Sequence, residues 1–297
     1  MWANLRENLI KGEYQALARA ISLVENAFAG YDEFLAALPA SHTPVIGITG
    51  PPGAGKSTLV DALLAEWVGQ GKRIGVLCVD PSSPFHFGAL LGDRIRMSKW
   101  YNHPGVFIRS LASRGSLGGL HPKIIEITDL MKAAPFDRIL VETVGVGQSE
   151  VEIAGLADIT VVVVVPEGGD EVQTMKAGLM EIADIFVVNK SDRPDADAFV
   201  KNLRSLVASS PGDGRRPVAV VKTVASQNTG IDALSAQILE LEKQPAGHPR
   251  RFYLMAEKAY HLIREKRMHD ISKQDLLSAL EKSGPQTNLY QFIKKYT

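Results

Sequence analysis

The chain has 297 residues, enough for one large or two modest domains around a buried core, and its 45% apolar and 22% charged residues fit a globular protein. Lys plus Arg equal Asp plus Glu at 33 each, so no global field favours nucleic acid or a membrane surface, and neither is expected as a partner. The single cysteine, Cys78, lies in an apolar run and reads as core; with no secretory leader pattern and no apolar run long enough to span a bilayer, the expectation is a cytoplasmic protein.

Residues 1–40 place Leu5, Leu9, Tyr14, Leu17, Ala18, Ile21 and Val24 near a 3.6-residue period, interrupted at Gly30. This predicts an N-terminal helical extension. Residues 45–58, VIGITGPPGAGKST, then read as a short apolar strand, a loop rich in Gly and Pro, and a helix start. Gly50, Gly55, Lys56 and Ser57 fill the fixed positions of a phosphate-binding P-loop. Such a loop curls backbone N–H groups around an anion at the positive end of a helix, so Gly50, Pro51, Pro52, Gly53, Ala54, Gly55, Lys56, Ser57 and Thr58 are assigned to the nucleotide phosphates. Lys56 is expected to reach the β- and γ-phosphates and Ser57 to bind Mg²⁺.

Leu59, Val60, Leu63, Leu64, Trp67 and Val68 continue the helix, which Gly69 and Gly71 stop. A continuous apolar run at 74–79 predicts a strand buried on both faces, and apolar-rich stretches at 106–109, 138–141, 159–165, 185–188 and 217–224 predict further strands, with a helix over 121–134. Strands alternating with helices imply an α/β fold, a mostly parallel P-loop NTPase sheet with helices on both faces. From about Gln244 the strand pattern stops. Phe252, Met255, Ala259, Leu262 and Ile263, then Leu276, Leu277 and Leu280, predict two amphipathic helices. The expected division is an extension over 1–40, a nucleotide-binding domain over 41–243, and a C-terminal helical appendage over 244–297.

The base is read from Asn189, Lys190, Ser191 and Asp192, directly after the strand IFVV. A carboxylate at Asp192 can accept from guanine N1–H and N2–H₂, which adenine lacks on that edge. Lys190 is expected to cover the base and ribose, and Asn189 to brace the loop. A site built on such bonds rejects the wrong base by roughly 10⁴–10⁵-fold. The Ala225 N–H is a weaker candidate for guanine O6. Asp80 and Glu142 end apolar strands and Asp93 lies in GDRIRM; with Ser57 they are the candidate oxygen donors for Mg²⁺, the alternative being helix caps or loop ion pairs. In ETVGVGQSE, Gly145 and Gly147 would let a backbone N–H meet and release a γ-phosphate. Asp170, Gln173 and Lys176 are spaced three apart after Gly168 and Gly169, which alone reads equally well as a solvated helix start. No His-rich or Cys-x-x-Cys tract points to metal storage or delivery.

Assembled, these phrases resemble the MeaB/ArgK branch of the SIMIBI-class P-loop GTPases. The resemblance is carried by LARAISLVEN (17–26), GITGPPGAGKSTL (47–59), VDPSSPF (79–85), LGDRIRM (91–97), IRSLASRGSLGGL (108–120), VETVGVGQSE (141–150), GGDEVQTMKAGLMEIAD (168–184) and NKSD. It implies a GTPase chaperone that assists an adenosylcobalamin-dependent acyl-CoA mutase, with GTP/GDP and Mg²⁺ on this chain, cobalamin on the partner, and a homodimer. It further implies that Ser57, Asp80, Asp93 and Glu142 build the Mg²⁺ and γ-phosphate site. Lys56, Glu142, Asp170, Gln173 and Lys176 would then be catalytic, the last three as the polar triad of a switch that signals to the mutase.

Two departures stand out: His86-Phe87-Gly88 replaces the family's Thr-Gly-Gly tract, and the chain ends at Thr297 without the full arm many relatives use to dimerise. The alternatives are a metal-insertion GTPase of the same fold, an ArgK-like kinase of a transport protein, and a switch that binds nucleotide without hydrolysing it.

Overall fold

The structure is a computed structural model that describes residues 1–80, 97–112, 120–143, 149–167, 177–209, 218–243, 249–268, 270–284 and 287–296. The chain divides into two compact units, Met1–Ala246 and Gly247–Thr297.

In the first unit, α1 (Trp2–Ile10), α2 (Tyr14–Glu25) and α3 (Tyr31–Ala36) precede β1 (Val45–Thr49) and α4 (Lys56–Gly69). The order continues through β2 (Ile74–Asp80), β3 (Val106–Ala112), α5 (Ile124–Lys132), β4 (Arg138–Glu142) and α6 (Ser149–Leu156). Then follow β5 (Ile159–Val164), α7 (Ala177–Ile182), β6 (Ile185–Val188), α8 (Ala196–Ser209), β7 (Ala219–Lys222) and α9 (Ile231–Glu242). The seven strands form one sheet in the order β3-β2-β4-β1-β5-β6-β7, every pair parallel. The expected P-loop NTPase architecture is therefore present.

The buried runs explain the layers. Ile46, Ile48, Val76, Leu140, Val161 and Val163 meet Leu59, Leu63 and Trp67 of α4 and Leu234 and Ile238 of α9 on one face. Val162, Val164, Phe186 and Val188 meet Leu179 of α7 and Phe199 and Leu203 of α8 on the other. Burial on both faces is why these strands carry no polar alternation. Cys78 is a buried member of the first layer.

The N-terminal period, continuous in sequence, is broken into two helices at Gly12, whose φ is +87° and whose Cβ would strike Arg73 and Pro135. Tyr14 then donates to the Pro104 carbonyl at 2.8 Å and packs on Phe107 and Phe136. Glu25 of α2 accepts from Arg109 of β3 at 2.9 Å. These contacts dock the N-terminal helices onto the β3 side of the sheet.

The second unit contains α10 (Pro249–Arg267), α11 (Lys273–Ser283) and α12 (Leu289–Ile293). Ser272 caps α11 by accepting the Asp275 N–H, and Asn288 caps α12 by accepting the Gln291 N–H. Phe252, Tyr253, Met255, Tyr260 and Ile263 of α10 are exposed. No helix among the described residues is long and apolar enough to cross a membrane.

Candidate functional site

β1 lies between β4 and β5, with β2 and β3 beyond β4, and β6 and β7 beyond β5. The strand order thus reverses at β1, and its carboxyl end opens into the crevice where parallel α/β sheets bind ligands. The P-loop leaves β1 at that point. Gly50 has φ +136°, and a Cβ there would lie 2.1 Å from the Val163 carbonyl oxygen. Only glycine lets the loop turn so close to β5. Gly55, φ +90°, is the N-cap of α4 and brings no side chain to compete for the first-turn N–H groups. Those groups lie at the positive end of a 14-residue helix, an arrangement that suits an anion. Pro52 and Gly53 are exposed on the rim, Pro51 and Thr58 are half-buried, and Ala54 is buried beneath them.

Lys56 is buried and donates to the Gly50 carbonyl at 2.8 Å and the Pro51 carbonyl at 3.1 Å. Its ammonium is folded onto the loop that it is expected to leave for a phosphate. Next to it, Ser57 donates to Glu142 Oε1 at 2.6 Å. Glu142 closes β4 and is buried. Hydroxyl and carboxylate thus form a compact pair of hard oxygen donors, the set that suits Mg²⁺. Below them Thr143 donates to Thr49 Oγ1 at 3.0 Å, tying the ends of β4 and β1 together.

The loop carrying Asn189, Lys190 and Asp192 follows β6. Asn189 is buried and donates through Nδ2 to the Ala54 carbonyl at 2.9 Å, so it binds the P-loop directly. Its Oδ1 accepts from Thr223 Oγ1 and from the Ala225 N–H, both at 3.1 Å. The Ala225 amide, expected to face guanine O6, is here engaged with Asn189, and a bond to the base would require it to share or exchange that acceptor. Lys190 adopts φ +56° and donates to the Gly53 carbonyl at 2.7 Å, crossing the gap between the two loops. Asp192 is exposed at the mouth. Just beyond it Arg193 donates to Glu167, which follows β5, and this bond holds the Glu167 carboxyl below the ordinary glutamate range.

The structure brings Gly50 to Thr58, Glu142, Asn189, Lys190, Asp192 and Ala225 to one end of the sheet. Asp80 closes β2 at the same end, though only its backbone is described. Asp93, Gly145, Asp170, Gln173 and Lys176 lie outside the described residues. Thr223 escaped the sequence reading. A lone threonine after an apolar run carries no motif signal, and only the turn that follows β7 brings it to Asn189.

The family model for the methylmalonyl Co-A mutase-associated GTPase MeaB matches residues 17–279. The chain belongs to the MeaB family. It is 51% identical over 242 residues to a protein of Pyrococcus abyssi named for GTPase activity, covering 80% of this chain and 74% of the relative. It is 40% identical over 190 residues to the GTPase ArgK of Escherichia coli, covering 62% of this chain and 57% of that protein. With the mouse mitochondrial methylmalonic aciduria type A homolog it shares 38% identity over 204 residues, 63% of this chain and 49% of the relative. A crystal structure of a LAO/AO transport system kinase superposes with a TM-score of 0.72 at 25% identity, covering 99% of this chain and 96% of that one. As a MeaB-family protein the chain is a P-loop GTPase, and membership of a GTPase family implies binding of GTP or GDP and Mg²⁺ in general.

Proposed function

We propose that this MeaB-family GTPase is a chaperone of an adenosylcobalamin-dependent acyl-CoA mutase, coupling GTP hydrolysis to loading, protecting or reactivating its cofactor. The observation that carries the reading is the Asn189 bridge to Ala54, which fastens the guanine loop to the phosphate loop inside a chain of mutase-associated type. The family description and the name of the mouse relative support a mutase of the methylmalonyl-CoA kind as the partner. Cobalamin belongs to that partner. The exposed apolar residues of α10 favour a homodimer, and the cytoplasm is the proposed compartment.

In this reading Gly50 to Thr58, Gly145, Asn189, Lys190, Asp192 and Ala225 hold the nucleotide. Ser57, Asp80, Asp93 and Glu142 hold Mg²⁺, directly or through water. Mg²⁺ held there would supply positive charge to offset the charge that builds up on the phosphates. Lys56 moves from the Gly50 and Pro51 carbonyls to the β- and γ-phosphates, an exchange of neutral acceptors for anionic ones. Asp170, Gln173 and Lys176 report the γ-phosphate to the partner. Hydrolysis is slow alone, because a site of this type gains from a partner that completes it.

The test is retention of proteins from lysate on the chain loaded with a non-hydrolysable GTP analogue, followed by GTPase assays with the retained partner. A cobalamin mutase that raises the turnover rate is the expected result. A chain that neither retains such a mutase nor responds to one loses this function, and preferential ATP binding would favour a kinase instead.

A further inference from the structure

We propose that Glu167 is a positioning residue for guanine recognition: it holds the Arg193 guanidinium away from Asp192 and so leaves that carboxylate open to the base. The inference rests on the reading of Asp192 as the acceptor for guanine. β5 and β6 are parallel neighbours with Val164 opposite Val188. Glu167 follows the end of β5 and Arg193 the end of β6, so their loops start from adjacent strand ends. The Arg193 side chain crosses between them to donate to Glu167. Its own N–H donates to the Lys190 carbonyl at 3.1 Å, closing a four-residue turn that contains Asp192. The bond from Arg193, and after it the charge of Lys190, favour the ionised form of Glu167. Asp192 is exposed, and among the described residues its side chain makes no hydrogen bond or ion pair.

The chemistry of the competing donors gives this arrangement its consequence. A guanidinium presents two parallel N–H donors to a carboxylate. Guanine N1–H and N2–H₂ present the same fork, so Arg193 is a competitor for the base built into the chain. It is the residue next to Asp192, and its stem is long enough to fold back onto that carboxylate. Two carboxylates therefore decide where one guanidinium sits. On Glu167 it leaves Asp192 to the base; on Asp192 it takes the place of the base. The side chains of Arg193 and Glu167 are 43% and 50% exposed, so their pair contributes little to stability and shifts this balance by no more than a few-fold.

The experiment measures GDP and IDP affinities of the full chain carrying Glu167→Gln, Arg193→Gln or both. IDP lacks the 2-amino group, offers Asp192 one donor instead of two, and so depends on it less. Glu167→Gln releases the guanidinium and should weaken GDP about two- to fivefold and IDP by less. Arg193→Gln removes the competitor and should leave GDP affinity at the parent value or above it. The double variant should recover the loss, because the released cation is gone. That rescue separates competition from bracing: a pair that only ties the loops together loses equally through either residue, and removing both recovers nothing. The bracing pattern overturns the inference, as does an unchanged GDP affinity in Glu167→Gln or an equal loss on GDP and IDP. Asp192→Asn tests the base site separately. If it leaves the GDP-to-IDP ratio intact, the reading of Asp192 fails. If it collapses that ratio and the double variant shows no rescue, the base site stands and the role of Glu167 falls.

Discussion

The Ser57 hydroxyl donates to Glu142 Oε1 over 2.6 Å, joining the first turn of α4 to the last residue of β4. The pair is buried, and in the proposed function it holds a divalent ion beside the P-loop. Glu142→Gln keeps an acceptor for Ser57 and removes only the charge. Single-turnover GTP hydrolysis should fall roughly 10²-fold, the scale of losing one preorganised electrostatic contact. GDP affinity measured with Mg²⁺ chelated should stay near the parent value. Hydrolysis at the parent rate would exclude Glu142 from the metal and γ-phosphate site.

Gly55 tests the junction of the two loops. A Cβ at this position would lie 2.4 Å from Asn189 Nδ2 while the backbone sits at φ +90°. Gly55→Ala therefore pushes Asn189 off the Ala54 carbonyl and strains the N-cap of α4 at once. The expected outcome is a loss of GDP affinity of roughly 10²-fold, read by titration with a fluorescent GDP analogue. Gly53→Ala is the matched control at φ +77°, since among the described residues no atom beyond its chain neighbours lies within 4 Å of its added Cβ. That variant carries only the backbone strain and should lose far less.

The contrast between these residues and others explains what the sequence makes legible. The P-loop and NKSD announce themselves because short spacing encodes their chemistry, and the strands do so because burial on two faces leaves unbroken apolar runs. Relations that depend on distant chain segments leave no such mark. Ala225 reads as a donor to the base, and no motif marks the bond that its amide makes to Asn189, 36 residues earlier. Arg138 reads as the polar start of a strand, yet it is buried against Glu242 across 104 residues. The N-terminal helical period conceals its own break, because the turn at Gly12, φ +87°, lies against Arg73 and Pro135 from distant parts of the chain.

A third prediction concerns pH. Asp137, just before β4, accepts from the Arg73 N–H at 2.8 Å and from Lys72 Nζ at 3.1 Å. Burial opposes its charge, but these donors outweigh it and hold the carboxyl below the ordinary aspartate value of 3.8. A group whose folded pKa is depressed contributes stability that is present in full above its unfolded pKa and is lost as pH falls through the folded one. Asp137→Asn should therefore melt below the parent at neutral pH, by a margin that stays constant down to about pH 4 and closes below it. A margin independent of pH across that window would mean that Asp137 acts by shape rather than by charge.

At the opposite end of β4 and α4 from the nucleotide, Arg138 meets Glu242 with both ends of its guanidinium, at 2.6 Å and 2.8 Å. The guanidinium also lies 4.8 Å over the ring of Trp67, whose indole N–H donates to Ser235 at 2.8 Å. One charge thus ties β4 and α4 to α9 at its last residue. Because Arg138 is buried, removing its carboxylate alone strands a desolvated cation, which costs about 3 kcal/mol or more. Glu242→Ala should lower Tm by roughly 5–10 °C. Replacing both residues with apolar ones, Arg138→Met with Glu242→Leu, removes the stranded charge and should recover most of that loss. Non-additivity of this sign, measured by thermal melts of the single and double variants, is the signature of a buried pair. Additive losses would assign the damage to packing around Trp67 instead.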